Sequence, residues 1–114
     1  MNGAPAGRIV GVGRALGSRV VTNADLESVL DTTDEWISTR TGIKERRFVG
    51  EGENAATLAV EASKKALEHA GVDGESVDLV ICGTSTAPES MPSVACLVGE
   101  EVGCPGAGAM DLAA

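Results

Sequence analysis

Val77-Asp78-Leu79-Val80-Ile81-Cys82-Gly83-Thr84 decides the fold class of this chain. A continuous apolar run after a polar turn reads as a strand buried on both faces. Pro92 then opens a helix near Ser93 that ends at Gly103, and Gly108-Ala109-Met110-Asp111-Leu112-Ala113-Ala114 begins another strand. On the other side, Asn54 to Ala70 is the clearest helix of the chain. Ala55, Leu58, Ala59, Ala62, Ala66 and Ala70 recur at three- and four-residue spacing, while Glu61, Lys64, Lys65 and Glu68 lie mostly on the opposite side. Glu61 with Lys65 and Lys64 with Glu68 are spaced to pair one turn apart, and Gly71 ends the helix. Strand–helix–strand alternation predicts an α/β layered fold with a parallel or mixed sheet.

The amino-terminal half is more finely punctuated. Arg8 to Arg14 reads as a short strand with glycines. Thr22 is a helix N-cap with Asp25 at the third helical position, and Leu26, Val29 and Leu30 share one face. Thr32 and Glu35 fit a reciprocal capping box for a second helix over Thr33 to Thr41. Asp34 and Glu35 suit its first turn and Gly42 its end. The acidic stretch Gly50-Glu51-Gly52-Glu53 reads as a solvated loop.

The bulk numbers narrow the class of function. The chain has 114 residues, 43% hydrophobic, with a single Trp, a single Phe and 15 Gly. Small residues approach closely but each buries little area, so the core is thin and the chain is expected to lean on a partner or on more sequence. A formal net charge of −8 argues against nucleic acid or an anionic membrane surface, both of which need clustered positive charge. No apolar run approaches the ~20 residues that span a bilayer, and residues 1–13 lack a signal-type stretch, so the expected location is cytoplasmic. Cys82, Cys96 and Cys104 form no disulfide framework and no metal spacing. Each reads as a small buried apolar residue.

Three local patterns carry candidate chemistry. Gly11-x-Gly13-x-x-x-Gly17 invites a dinucleotide reading, but Ser18-Arg19-Val20-Val21 is extended, so no helix N-terminus follows to hold a pyrophosphate. The glycines read instead as close packing and a turn. Trp36 and Arg40 are one helical turn apart, and an indole beside a guanidinium can hold a planar heteroaromatic ring. Arg40, Lys44, Arg46 and Arg47 are four of the nine basic residues and make a local positive patch. It suits a phosphorylated cofactor or an acidic surface, and reads equally as a core tryptophan with a solvated basic face. His69, the one histidine, reads as structural, near the end of its helix.

At Asp31-Thr32-Thr33-Asp34-Glu35-Trp36-Ile37 and Arg40-Thr41-Gly42-Ile43-Lys44-Glu45-Arg46 the chain closely resembles the β-ketoacyl-acyl-carrier-protein synthase III family of condensing enzymes. The resemblance extends over nearly the whole chain. It takes in Thr22-Asn23-Ala24-Asp25-Leu26-Glu27, Thr84-Ser85-Thr86, Pro92-Ser93-x-Ala95-Cys96 and Asp111-Leu112-Ala113-Ala114. It implies the amino-terminal part of a thiolase-like layered αβαβα fold, with residues 1–114 forming an incomplete half-domain. That family condenses an acyl-CoA primer with malonyl-acyl-carrier protein, as a homodimer and without metal or redox cofactor.

Carried over by position, the resemblance implies that Trp36 and Arg40 hold the adenine end of CoA, with Thr32 close by. It gives Lys44, Arg46 and Arg47 no ligand contact. It places Met91 in the partner's acyl pocket across a dimer interface, where its size and flexibility help set which primer fits. The family's nucleophilic cysteine is expected just past Ala114, and its histidine and asparagine later still. No catalytic residue is therefore assigned within the chain, which is expected to be inactive alone and poorly soluble or associating. The alternatives are a polyketide-priming or acyl-transferring relative of the same fold, and a non-catalytic CoA-binding subunit of a split enzyme.

Overall fold

The computed structural model describes residues 6–113. Residues 1–5, part of the stretch read for a signal sequence, and Ala114, included in the expected last strand, lie outside it. The chain divides into two compact units: Leu16–Glu53, and Met1–Ala15 with Asn54–Ala114.

In the first unit, β1 (Arg19–Thr22) pairs antiparallel with β2 (Glu45–Phe48), in register from Arg19 opposite Phe48 to Thr22 opposite Glu45. Between them run two helices, α1 (Asn23–Glu27) and α2 (Asp34–Thr41). Thr22 caps α1 in a reciprocal box with Asp25, as the sequence predicts. The α2 cap is one residue later than expected. Thr33, not Thr32, takes the extended cap conformation, and its hydroxyl accepts from the Trp36 N–H at 3.1 Å. The Asp34 N–H goes to the Glu27 carboxylate. Gly42 ends α2 at φ 70°, a left-handed conformation that a side chain disfavours.

β2 was not foreseen, because Glu45-Arg46-Arg47-Phe48 carries mostly charge and reads locally as a basic patch. Cross-strand pairing makes it a strand. The Arg19 guanidinium lies 5.2 Å from the centre of the Phe48 ring opposite it.

The second unit contains α3 (Ala55–Ala70), a 3₁₀ turn (Gly74–Ser76), β3 (Leu79–Gly83), α4 (Val94–Glu101) and β4 (Gly108–Leu112). β3 and β4 are parallel, from Leu79 opposite Gly108 to Gly83 opposite Leu112, and α4 is the crossover between them. This is the expected strand–helix–strand element. Val94, Ala95 and Val98 are essentially inaccessible. Ala56 of α3 joins them, with Val80, Cys82 and Leu97 packed alongside. Burying a valine such as Val94 contributes about 1.5–3 kcal/mol. Both long-helix ends follow the sequence reading. Asn54 accepts from the N–H groups of Ala56 and Thr57, and Gly71 closes the other end at φ 64°. Lys65 meets Glu61 at 2.5 Å. The expected Lys64–Glu68 pair is not formed.

Three expectations are corrected in this unit. The strand at 77–84 is not buried on both faces: Leu79 and Ile81 are each 52% exposed, because helices cover only the side of Val80 and Cys82. Arg8 to Arg14 is not a strand, since it finds no ladder partner among the described residues. It lies instead along α3. A Cβ at Gly13 would come within 2.1 Å of the Ala62 carbonyl oxygen, and one at Gly11 within 2.5 Å of that of Ala66. Those glycines serve close packing, as read. His69 is structural too: its Nδ1 is 3.1 Å from the Val12 N–H nitrogen, fixing this segment to the helix. Finally, Cys104 is buried and Cys82 half-buried, but Cys96 is exposed, because it sits on the outer side of α4.

Candidate ligand-binding site

The site is built on α2. Asp34 and Glu35 occupy its first turn and Arg40 its last, each at the end its charge prefers. Arg40 is four positions after Trp36, so both project from one face. The Arg40 guanidinium carbon lies 4.9 Å from the centre of the Trp36 ring. Trp36 is 55% exposed, which is high for a residue with so much apolar area. The stacked pair therefore forms a planar, cationic shelf at the surface.

Trp36 lines two recesses. A cleft of about 640 Å³ is lined by Leu26, Leu30, Thr32, Trp36 and Ile37 among others, and a groove of about 350 Å³ by Thr33, Glu35, Trp36, Thr39 and Arg40. Thr32 stands just ahead of the helix. Released from the capping role expected of it, its hydroxyl oxygen is buried and has no hydrogen-bond partner. A buried hydroxyl without a partner costs on the order of 1–3 kcal/mol.

The positive patch resolves into separate roles. The Arg46 guanidinium donates to the Val21 carbonyl and to Asn23 Oδ1, at 3.2 and 2.6 Å. Arg47 donates to the Gly17 carbonyl at 3.2 Å. Lys44 reaches Ser38 Oγ at 2.8 Å and the Asp34 carboxylate at 3.6 Å. These three cations hold the unit together. Arg40, among the described residues, meets no carboxylate within ion-pair range. Of the four, it is the one left for an anionic or aromatic ligand.

Electrostatics within the unit follow its hydrogen bonds. The Asn23 and Ser38 side chains hold the Asp34 carboxyl below its usual pKa range. Asp25 is lowered by the Thr22 N–H and hydroxyl. Glu53 is lowered by the N–H groups of Gly50 and Ser18, so the acidic loop is a loop, as read, but an anchored one.

Met91 is in the other unit, in the loop before α4, and is 83% exposed. The first turn of α4 that follows is held from β4: the Asp111 carboxylate accepts from the Val94 and Ala95 N–H groups at 2.7 and 2.8 Å, while the Ser93 hydroxyl accepts from the Cys96 N–H. Cys82, opposite Asp111 in the sheet, has its thiol pKa raised by burial and then by that carboxylate. This is the reverse of what an activated cysteine needs. Among the described residues, no group of three or more His, Cys, Asp or Glu is placed to hold a metal ion. No described helix is long and apolar enough to cross a membrane.

Sequence reasoning missed Asn23 and Asp111. Both are short polar residues whose partners are 11 to 23 and 16 to 17 positions away, so no local pattern signals them.

No known family profile matches the chain. It is 76% identical over 108 residues to a β-ketoacyl-acyl-carrier-protein synthase III of Rubrobacter xylanophilus, covering 95% of this chain and 34% of that protein. A crystal structure of the 3-oxoacyl-acyl-carrier-protein synthase III of Aquifex aeolicus superposes with TM-score 0.88 at 46% identity, over 93% of this chain and 34% of that one. The priming β-ketosynthase of a polyketide biosynthetic pathway superposes with TM-score 0.89 at 41% identity, over 94% and 32%. The chain thus spans about a third of the length of the curated relatives it matches.

Proposed function

We propose that this chain is an amino-terminal segment of a β-ketoacyl-acyl-carrier-protein synthase III and supplies its CoA-binding shelf, a reading supported by the similarity to such enzymes. The whole protein would join an acyl-CoA primer to malonyl-acyl-carrier protein at the start of fatty acid synthesis. In that reaction the acyl group passes from CoA to an enzyme thiol. Loss of CO₂ from the malonyl thioester then leaves an enolate, which attacks the acyl carbon and expels the thiol. This chain's residues contribute binding. Trp36 and Arg40 take the adenine ring and its nearby negative charge by stacking and cation–π contact, and Thr32 offers its hydroxyl beside them. Met91, exposed and flexible, reaches a partner's acyl pocket in a homodimer and widens the range of primers. The setting is the cytoplasm, and no resident cofactor is invoked.

The observation that carries this reading is the stacked, exposed Trp36–Arg40 pair beside an unpartnered hydroxyl. A second reading, priming of a polyketide, is favoured by the high structural similarity to a priming β-ketosynthase. It uses the same shelf and differs in the acyl group and carrier protein. The test is steady-state kinetics of Trp36→Ala and Arg40→Ala in the full-length protein. Each contact is worth on the order of 1–2 kcal/mol, so each change should raise the KM for acyl-CoA about tenfold. An unchanged KM would remove the assignment.

A further inference from the structure

Asn23 is the one buried polar side chain among the described residues, 2% exposed. Its side-chain amide meets four residues. The Nδ2 group donates to Asp34 Oδ1 at 2.6 Å, in the first turn of α2, and to the Ile43 carbonyl at 2.8 Å, just past the end of α2. It also lies 3.4 Å from Ser38 Oγ, in the middle of that helix. Its Oδ1 accepts from Arg46 of β2 at 2.6 Å, and its own backbone N–H donates to the Lys44 carbonyl. One amide therefore grips α2 at its start, its middle and its exit, and fixes all three to the strand behind.

The same helix carries Trp36 and Arg40. An eight-residue helix is too short to hold its own position, and α2 buries only Ile37. Its orientation must come from elsewhere, and the bonds that reach it from Asn23 are partly shielded from water. We propose that Asn23 is a positioning residue for the Trp36–Arg40 shelf, setting the placement of the ligand-stacking face without touching the ligand. This rests on the reading of that shelf as the CoA site. The shape argues for asparagine specifically. Leucine fills the space but takes the Oδ1 acceptor from Arg46, which keeps only the Val21 carbonyl, and the donor from the Ile43 carbonyl. Aspartate keeps Arg46 but sets a second carboxylate against Asp34.

The test uses the full-length protein with free CoA as the probe in calorimetry, alongside acyl-CoA kinetics. Trp36→Ala is the reference that tests the shelf itself. Asn23→Ala should raise the CoA Kd and the acyl-CoA KM together, on the order of tenfold, with kcat unchanged, because a loosened shelf binds less well but leaves the chemistry alone. Asn23→Asp should be at least as damaging. Combining it with Asp34→Asn reverses the direction of the 2.6 Å hydrogen bond and should recover part of the affinity, the bond to the Ile43 carbonyl staying lost. That recovery is something a general loss of stability would not give. It also carries the test if Asn23→Ala does not fold. If Trp36→Ala weakens CoA while Asn23→Ala leaves Kd and KM unchanged, or if the paired exchange recovers nothing, the positioning role is wrong and the shelf stands. If Trp36→Ala itself leaves CoA binding unchanged, the shelf reading fails and takes this proposal with it.

Discussion

The two units of this chain are held together by different forces. In the unit with α3, α4 and the parallel strands, order comes from apolar burial: Val94, Ala95 and Val98 are out of water, and Ala56, Val80 and Cys82 close around them. In Leu16–Glu53 only Val21 and Ile37 are buried hydrophobics. Its coherence comes from a polar web centred on Asn23, from Arg46 and Arg47 on backbone carbonyls, and from four carboxylates that cap backbone N–H groups or side-chain donors. The difference has a functional logic. Apolar packing tolerates repacking and fixes a scaffold. A polar web is directional and fails when one member is lost, but it fixes the angle of a short, exposed helix that apolar contacts could not hold.

Changes to single residues should separate these regimes. The largest effect is expected from Val94→Asp, which puts an unpaired carboxylate into the apolar unit. Denaturant unfolding should show a loss of about 4 kcal/mol or more, or no folded protein. Next comes Asn23→Leu, which keeps the volume but removes one of the Arg46 guanidinium's two acceptors and the donor to the Ile43 carbonyl, for a loss of about 2–4 kcal/mol. A neutral or stabilising outcome would mean that the web is decoration and that the two units are not different in kind. Asn54→Ala, removing the α3 cap, should cost about 1 kcal/mol and raise hydrogen exchange mainly in the first turn of that helix.

The smallest effect is one of pH. Asp25, Asp34 and Glu53 have folded pKa values below their unfolded ones, and all three are in Leu16–Glu53. A lowered carboxylate stabilises the fold above its unfolded pKa, about 4, and that contribution fades as pH falls through the folded value. On acidification below about pH 4, amide exchange should therefore quicken in Leu16–Glu53 before it quickens in α4. Simultaneous loss would mean that these exposed carboxylates contribute little.

Much of this was legible in the sequence. Helix α3 declares itself by alanine periodicity with Asn54 and Gly71 at its ends. Thr22 with Asp25 marks α1, and Ser93 opens α4. The apolar run at 77–84 gave a strand, and strand–helix–strand order gave a parallel pair. Four-residue spacing alone put Arg40 against Trp36. These features depend on neighbours within a turn or two, so local chemistry specifies them. The rest needed the folded chain. Whether Thr32 or Thr33 caps α2, that Glu45–Phe48 is a strand while Arg8–Arg14 is not, and that three of four clustered cations are structural all depend on which distant backbone groups come near. Asn23 shows the reason most plainly: a single amide can satisfy residues 11 to 23 positions away, and a hydrogen bond across that distance leaves no periodic trace in the sequence.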